Sequence, residues 1–126
     1  MKSFAAIAGA LLLAGCASLT ARGSDPVFAG RSAAGLDATA GCLVTELDRA
    51  MASRFALEPS ITHKIVLIQP GKVVEVSPQQ EITIGAEVYF ARVTATGPRS
   101  ASVEFFANAA WSDRVIGAVK RCAGVP

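Results

Sequence analysis

The chain has 126 residues, 52% of them apolar, and 12 Lys and Arg against 10 Asp and Glu give a formal charge of +2. That length holds one small domain and excludes two. The arginines are scattered from Arg22 to Arg121 with no basic stripe and no interleaved aromatics, so the footprint of a nucleic-acid binder is missing.

At the N-terminus a single Lys2 precedes an apolar run, Phe4 to Ala14, which leads into "LAGC", Leu13 to Cys16. The run has the length of a secretory h-region and falls well short of the roughly 20 apolar residues that span a bilayer. Residues 1–15 are therefore expected to be a signal peptide and are set aside from the fold. The "LAGC" stretch resembles the lipobox of bacterial lipoproteins. The resemblance implies a diacylglyceryl group on the Cys16 sulfur, cleavage just before Cys16, and acylation of the freed amine. The implied partner is thus the membrane, reached through the lipid on Cys16. Each buried methylene contributes about 0.8 kcal/mol and one myristoyl chain holds only marginally, so two or three chains make a durable anchor. In that family an aspartate after the cysteine favours the inner membrane. Ala17 and Ser18 stand here instead, which implies the outer membrane, with the domain facing the periplasm and surface exposure left open.

From Ala17 to Gly35 the chain reads "ASLTARGSDPVFAGRSAAG", small and polar with no sustained period. Residues 16–36 are expected to be the lipidated cysteine and a flexible tether. A coil of about 20 residues holds its ends roughly 25 Å apart. Val27 and Phe28 are its only sizeable apolar pair, and docking them on the domain would shorten that reach.

Residues 37–126 are expected to form a small α+β domain. Asp37 is a candidate N-cap, and Ala40, Leu43, Val44, Leu47, Ala50, Met51 and Phe55 recur at helical spacing, predicting an amphipathic helix to Phe55. Pro59 ends helix nearby. "THKIVLIQ", Thr62 to Gln69, predicts a strand, "PGK" a turn, and "VVEV", Val73 to Val76, the hairpin partner. After a polar break at Gln79 to Glu81, "EVYFARVTAT" and "SASVEFFA" flank "GPR" as a second hairpin. Tyr89, Ala91, Val93 and Ala95 share one face, with Val103 and Phe105 opposite them. Trp111, Val115, Ala118, Val119 and Cys122 predict a C-terminal helix. The expected architecture is helix, an antiparallel β-meander of about four short strands, then helix, with both helices packed on one sheet face.

With Cys16 lipidated, Cys42 and Cys122 remain, an even count in an oxidising compartment. A disulfide between them is expected. It would close a loop of roughly 80 residues, for which the chain-entropy relation gives about 4.5 kcal/mol as an upper figure. Cys122 lies on the apolar stripe of its helix, but Cys42 lies nearly opposite its own, so the last helix has to flank the first for the sulfurs to meet. Free buried thiols and a redox or metal pair are the competing states. No Cys-x-x-Cys and no histidine cluster is present for the latter. The layout also resembles a group of small, uncharacterised proteobacterial lipoproteins, through Cys42-Leu43, "ARV" at Ala91 to Val93, Trp111 and Arg121-Cys122. Those proteins tend to carry an aromatic residue after the first cysteine, where Leu47 stands here. The resemblance implies no activity.

No catalytic constellation is legible. His63, the only histidine, is expected to be a solvated or edge residue. Glu75, Glu81, Glu87 and Glu104 read as solvent-facing strand positions. No metal site and no cofactor are expected. Trp111 reads as a core or helix-start aromatic. Alternatively, if exposed together, Phe106 and Trp111 would make an apolar interaction patch. The expected function is a membrane-anchored envelope lipoprotein that binds or scaffolds without catalysis, its partner an envelope protein. The alternatives are a small-ligand binding module using apolar space between sheet and helices, and an enzyme.

Overall fold

The computed structural model describes residues 21–80 and 88–124. The lipobox, Cys16, Glu81 and Glu87 lie outside them. The elements are β1 (Phe28–Ser32), α1 (Leu36–Ala50), β2 (His63–Gln69), β3 (Val73–Pro78), β4 (Tyr89–Gly97), β5 (Ser100–Ala107) and α2 (Ala109–Cys122). The strands form one antiparallel sheet in the order β1-β5-β4-β3-β2. Both helices lie side by side on one face, so the α+β architecture is the expected one with a fifth strand added.

That strand falls within the stretch expected to be tether. The sequence "FAGRS" has little β propensity of its own. It is held by its register on β5, from Phe28 against Phe105 to Ser32 against Ala101, with the Phe28 ring packed on the main core. Gly30 is required there. A Cβ on it would sit 2.5 Å from the Gly124 carbonyl oxygen, because the C-terminal segment crosses β1 at that point. The Gly124 N–H donates to the Arg31 carbonyl at 2.7 Å, so the β1 edge is covered by the end of the chain.

Strand alternation places the core. Tyr89, Ala91 and Val93 of β4, Ala101, Val103 and Phe105 of β5, and Val74 and Val76 of β3 all turn toward the helices and are buried with Leu43, Leu47, Met51, Val115 and Val119. Fully burying one such side chain contributes about 1.5–3 kcal/mol. The β2–β3 turn uses Gly71 at φ +72°, a conformation that a side chain disfavours.

α1 starts two residues earlier than expected at its cap and stops earlier at its end. Gly35 is the N-cap, and Asp37 lies in the first turn, where its charge opposes the positive end of the helix dipole. The Thr39 hydroxyl ties this turn to β1 by donating to Ser32 Oγ at 2.8 Å. The helix ends at Ala50. Ser53 N–H then bonds Ser60 Oγ, Arg54 N–H bonds Glu58 Oε2, and Ile61 N–H bonds the Met51 carbonyl. This loop carries Phe55 out of the helical stripe and into solvent, where the period alone had put it in the core.

α1 and α2 are stapled along their flanks. Cys42 and Cys122 form a disulfide with Cα atoms 5.8 Å apart, and one turn further along α1 Glu46 Oε2 accepts from Arg121 Nε at 2.6 Å. The last helix flanks the first, which is how a cysteine set off the apolar stripe of α1 reaches its partner.

Candidate functional site

Two rows of cross-strand neighbours show where the helices stop covering the sheet. Along one, Phe105, Ala91 and Val76 are buried, and the next residue, Ile65 of β2, is 45% exposed. Along the other, Val103, Val93 and Val74 are buried, and Leu67 is 67% exposed. Helix cover therefore reaches β2 only at its start, at His63, and is gone from Ile65 onward. On the opposite face Val66 is exposed too, as is Ile68 in the bulge between Leu67 and Gln69. Four consecutive aliphatic residues stand in water on an edge strand. A continuous run of that kind is the pattern of a strand buried on both faces. Native sheets normally blunt such an edge, because its unpaired backbone groups are a template for another strand.

The backbone on this edge is oriented for pairing. The Gln79 N–H donates to the Thr62 carbonyl at 2.8 Å, while Pro78, which has no N–H, sits opposite His63. By the antiparallel alternation, Thr62, Lys64 and Val66 direct their N–H and C=O toward β3, and Ile65 and Leu67 direct theirs outward. Among the described residues no strand pairs with β2 on that side, and only the His63 carbonyl near its start is met there, by Gln79 Nε2 at 3.3 Å.

A cleft of about 330 Å³ lies near the start of β2, lined by residues that include Met51, Ile61, Gln80, Trp111 and Arg114. Arg114 Nη2 donates to Glu58 Oε1 at 3.0 Å, and its Nε is buried without a partner among the described residues. The Arg54 amide, with Arg114 beside it, holds the Glu58 carboxyl below its ordinary range. Trp111 is half-buried, tilted against Tyr89 with ring centroids 6.4 Å apart.

Trp111 and Phe106 do not form one patch. Trp111 packs on the core face, while Phe106 lies on the other face, 6% exposed and stacked on Phe90 at 4.7 Å. Two guanidinium groups cover these rings: Arg22 lies 4.4 Å over Phe90 and Arg92 lies 5.1 Å over Phe106. Glu75 binds both cations, Arg22 at 2.7 Å and Arg92 at 3.0 and 3.1 Å. Glu75 is 4% exposed rather than solvent-facing, because the chain at Ala21 and Arg22 folds back over this face. Burial raises the Glu75 pKa, but the bonds from the two arginines outweigh it and leave the carboxyl below its ordinary range.

His63 is buried, not solvated. Its Nδ1 lies 2.8 Å from Asp48 Oδ1 and its Nε2 lies 2.6 Å from the Tyr89 hydroxyl. Desolvation lowers the His63 pKa against the opposing pull of Asp48. The neutral ring therefore donates from Nδ1 to Asp48 and accepts at Nε2 from Tyr89. An acid, a histidine and a hydroxyl in series have the composition of a nucleophile relay. This one differs from a working relay in two ways: burial pushes the Tyr89 hydroxyl away from ionisation, and the Tyr89 ring is enclosed. The series ties α1, β2 and β4 together. Nothing in a lone histidine beside Thr62 and Lys64 foretold it, since Asp48 and Tyr89 are distant in sequence.

Among the described residues, no three of His, Cys, Asp and Glu come together as a metal set, and no helix is long and apolar enough to cross a membrane. No family model matches the chain, and no curated protein is similar to it.

Proposed function

We propose that the chain is a membrane-anchored envelope lipoprotein that works by binding. Lipid on Cys16 holds it at the outer membrane, facing the periplasm, and the domain takes up a strand of a protein partner on the open edge of β2. The observation that carries the binding role is the exposed run from Ile65 to Ile68 on an edge whose backbone groups point outward. The anchor rests on "LAGC" and its resemblance to a lipobox. Two experiments test the reading. Mass spectrometry of the full chain from membranes is expected to find an acylated Cys16 N-terminus, and Cys16→Ser is expected to release the protein from membranes. A photo-crosslinking residue at position 67 is expected to yield an adduct in cells where one at position 113 of α2 does not. Unmodified Cys16, or no adduct at position 67, would overturn the corresponding half.

The cleft beside Trp111 supports a second reading, a small-ligand site. Its lining of Met51, Ile61 and Trp111, with an Arg114 Nε that has no partner among the described residues, suits a ligand with an apolar body and one hydrogen-bond acceptor. Quenching or shift of Trp111 fluorescence on titration with envelope lipids or glycans is the test, and an unchanged spectrum would set this reading aside.

A further inference from the structure

We propose that the strand taken up by β2 is β2 of a second copy, paired antiparallel about a two-fold axis through Val66, so that two domains share one continuous sheet. The inference rests on the strand-binding reading above and names its partner.

The two sheet edges differ. The β1 edge is occupied by the C-terminal segment, through the Gly124 amide on the Arg31 carbonyl and the contact of Gly124 with Gly30. Head-to-tail growth, β2 of one copy on β1 of the next, would have to displace this segment from Arg31. A sheet with one open edge among its described residues can close with its own kind in an isologous pair.

The sequence of β2 suits that pairing in one register. With Val66 opposite itself, Ile65 of each copy faces Leu67 of the other on the helix-side face, and these are the residues whose backbone groups point outward. Each such pair exchanges two hydrogen bonds. Ile65, Val66 and Leu67, exposed in one copy, then each face an aliphatic residue of the next, and Ile68 faces the stem of Lys64. Charge disfavours the registers centred nearer Lys64. Lys64 is the only charged residue between His63 and Gln69, His63 being neutral. Centred on Val66, the two Lys64 residues stand four positions apart, about 14 Å, beyond the Debye length of about 8 Å at physiological salt. Centring on Ile65 would halve that separation, and centring on Lys64 would set like charges directly opposite. Confinement of both copies to one membrane by their lipids raises the effective concentration of the encounter.

The register makes a sharp test in the full chain, in native membranes. Val66 directs its backbone to β3, so toward the second copy it is a non-hydrogen-bonded position with Cα atoms about 4.5 Å apart. That spacing falls within the range a disulfide bridges. Under mild oxidation Val66→Cys is expected to give a covalent dimer about tenfold or more above Lys64→Cys and Ala29→Cys, whose partners lie out of reach. Adding Ile65→Pro removes an outward N–H that β3 does not use. It is expected to abolish the dimer while the Cys42–Cys122 bond, read by thiol labelling, stays intact. A Val66→Cys dimer no more abundant than that of Ala29→Cys would overturn the second copy as occupant. In that event an adduct at position 67 with a different protein keeps the edge as a binding site, and no adduct at all removes both inferences.

Discussion

The Tyr89 hydroxyl and His63 Nε2 lie 2.6 Å apart in the interior, and on its other side His63 holds Asp48 at 2.8 Å. The imidazole is kept neutral by burial, with its pKa below the ordinary value of 6.5. The unfolded chain therefore binds a proton that the folded one does not in the window from pH 6.5 down to the lowered value. Stability is full above pH 6.5 and falls as the pH drops through that window, with a slope of at most about 1.4 kcal/mol per pH unit for one proton. Urea unfolding midpoints between pH 7.5 and 5 are expected to fall in the wild type and to stay flatter in His63→Gln.

Glu75 predicts a different acid response. Its carboxyl is held below the ordinary value of 4.5 by Arg22 and Arg92, so its contribution is present above pH 4.5 and is lost as the pH falls below it. Glu75→Ala leaves two cations over the Phe90–Phe106 pair without their carboxylate. Both arginines keep some contact with water, so the cost is about 1–2 kcal/mol rather than that of a fully buried pair. Denaturant unfolding at pH 7 measures it.

Removing the Cys42–Cys122 bond by a double alanine substitution is expected to cost about 2–4 kcal/mol. A domain of this size has little reserve. A lowered midpoint, with the same fall in the wild type under reductant, checks it.

Leu67→Lys separates an interaction surface from a core. The side chain is two-thirds exposed, so the change is expected to move stability by less than about 0.5 kcal/mol. The same change is expected to eliminate the position-66 cross-link. Val76→Ala, one strand inward and buried, is expected to lose more than about 1 kcal/mol.

Much of this fold could be read from residue order. The alternation Tyr89-Ala91-Val93 placed the core face of β4, the stripe Val115-Ala118-Val119 placed that of α2, and Pro70-Gly71 located the first hairpin. Those signals are local. β1 was illegible because "FAGRS" is a strand only through its partners, Phe105 to Ala101 on one side and Gly124 on the other. Phe106 and Trp111 looked like neighbours in sequence, but the change from a period of two to one of 3.6 between them sends their rings to opposite faces. The open edge was half visible. Thr62 to Gln69 read as a strand paired with Val73 to Val76, yet only strand order reveals that no strand of the described chain pairs with its other side.

The strap of residues 21 and 22 over Phe90 and Phe106 bears on how the domain stands off the membrane. With Ala21 buried and Arg22 bonded to Glu75, the folded unit reaches back at least to residue 21, well before residue 37. If Cys16 carries the lipid, only the links from Cys16 to Ala21 separate bilayer from domain, at most about 18 Å fully extended. The sheet then rides close against the lipid surface, and two copies meeting edge to edge search a thin layer rather than the width of the periplasm.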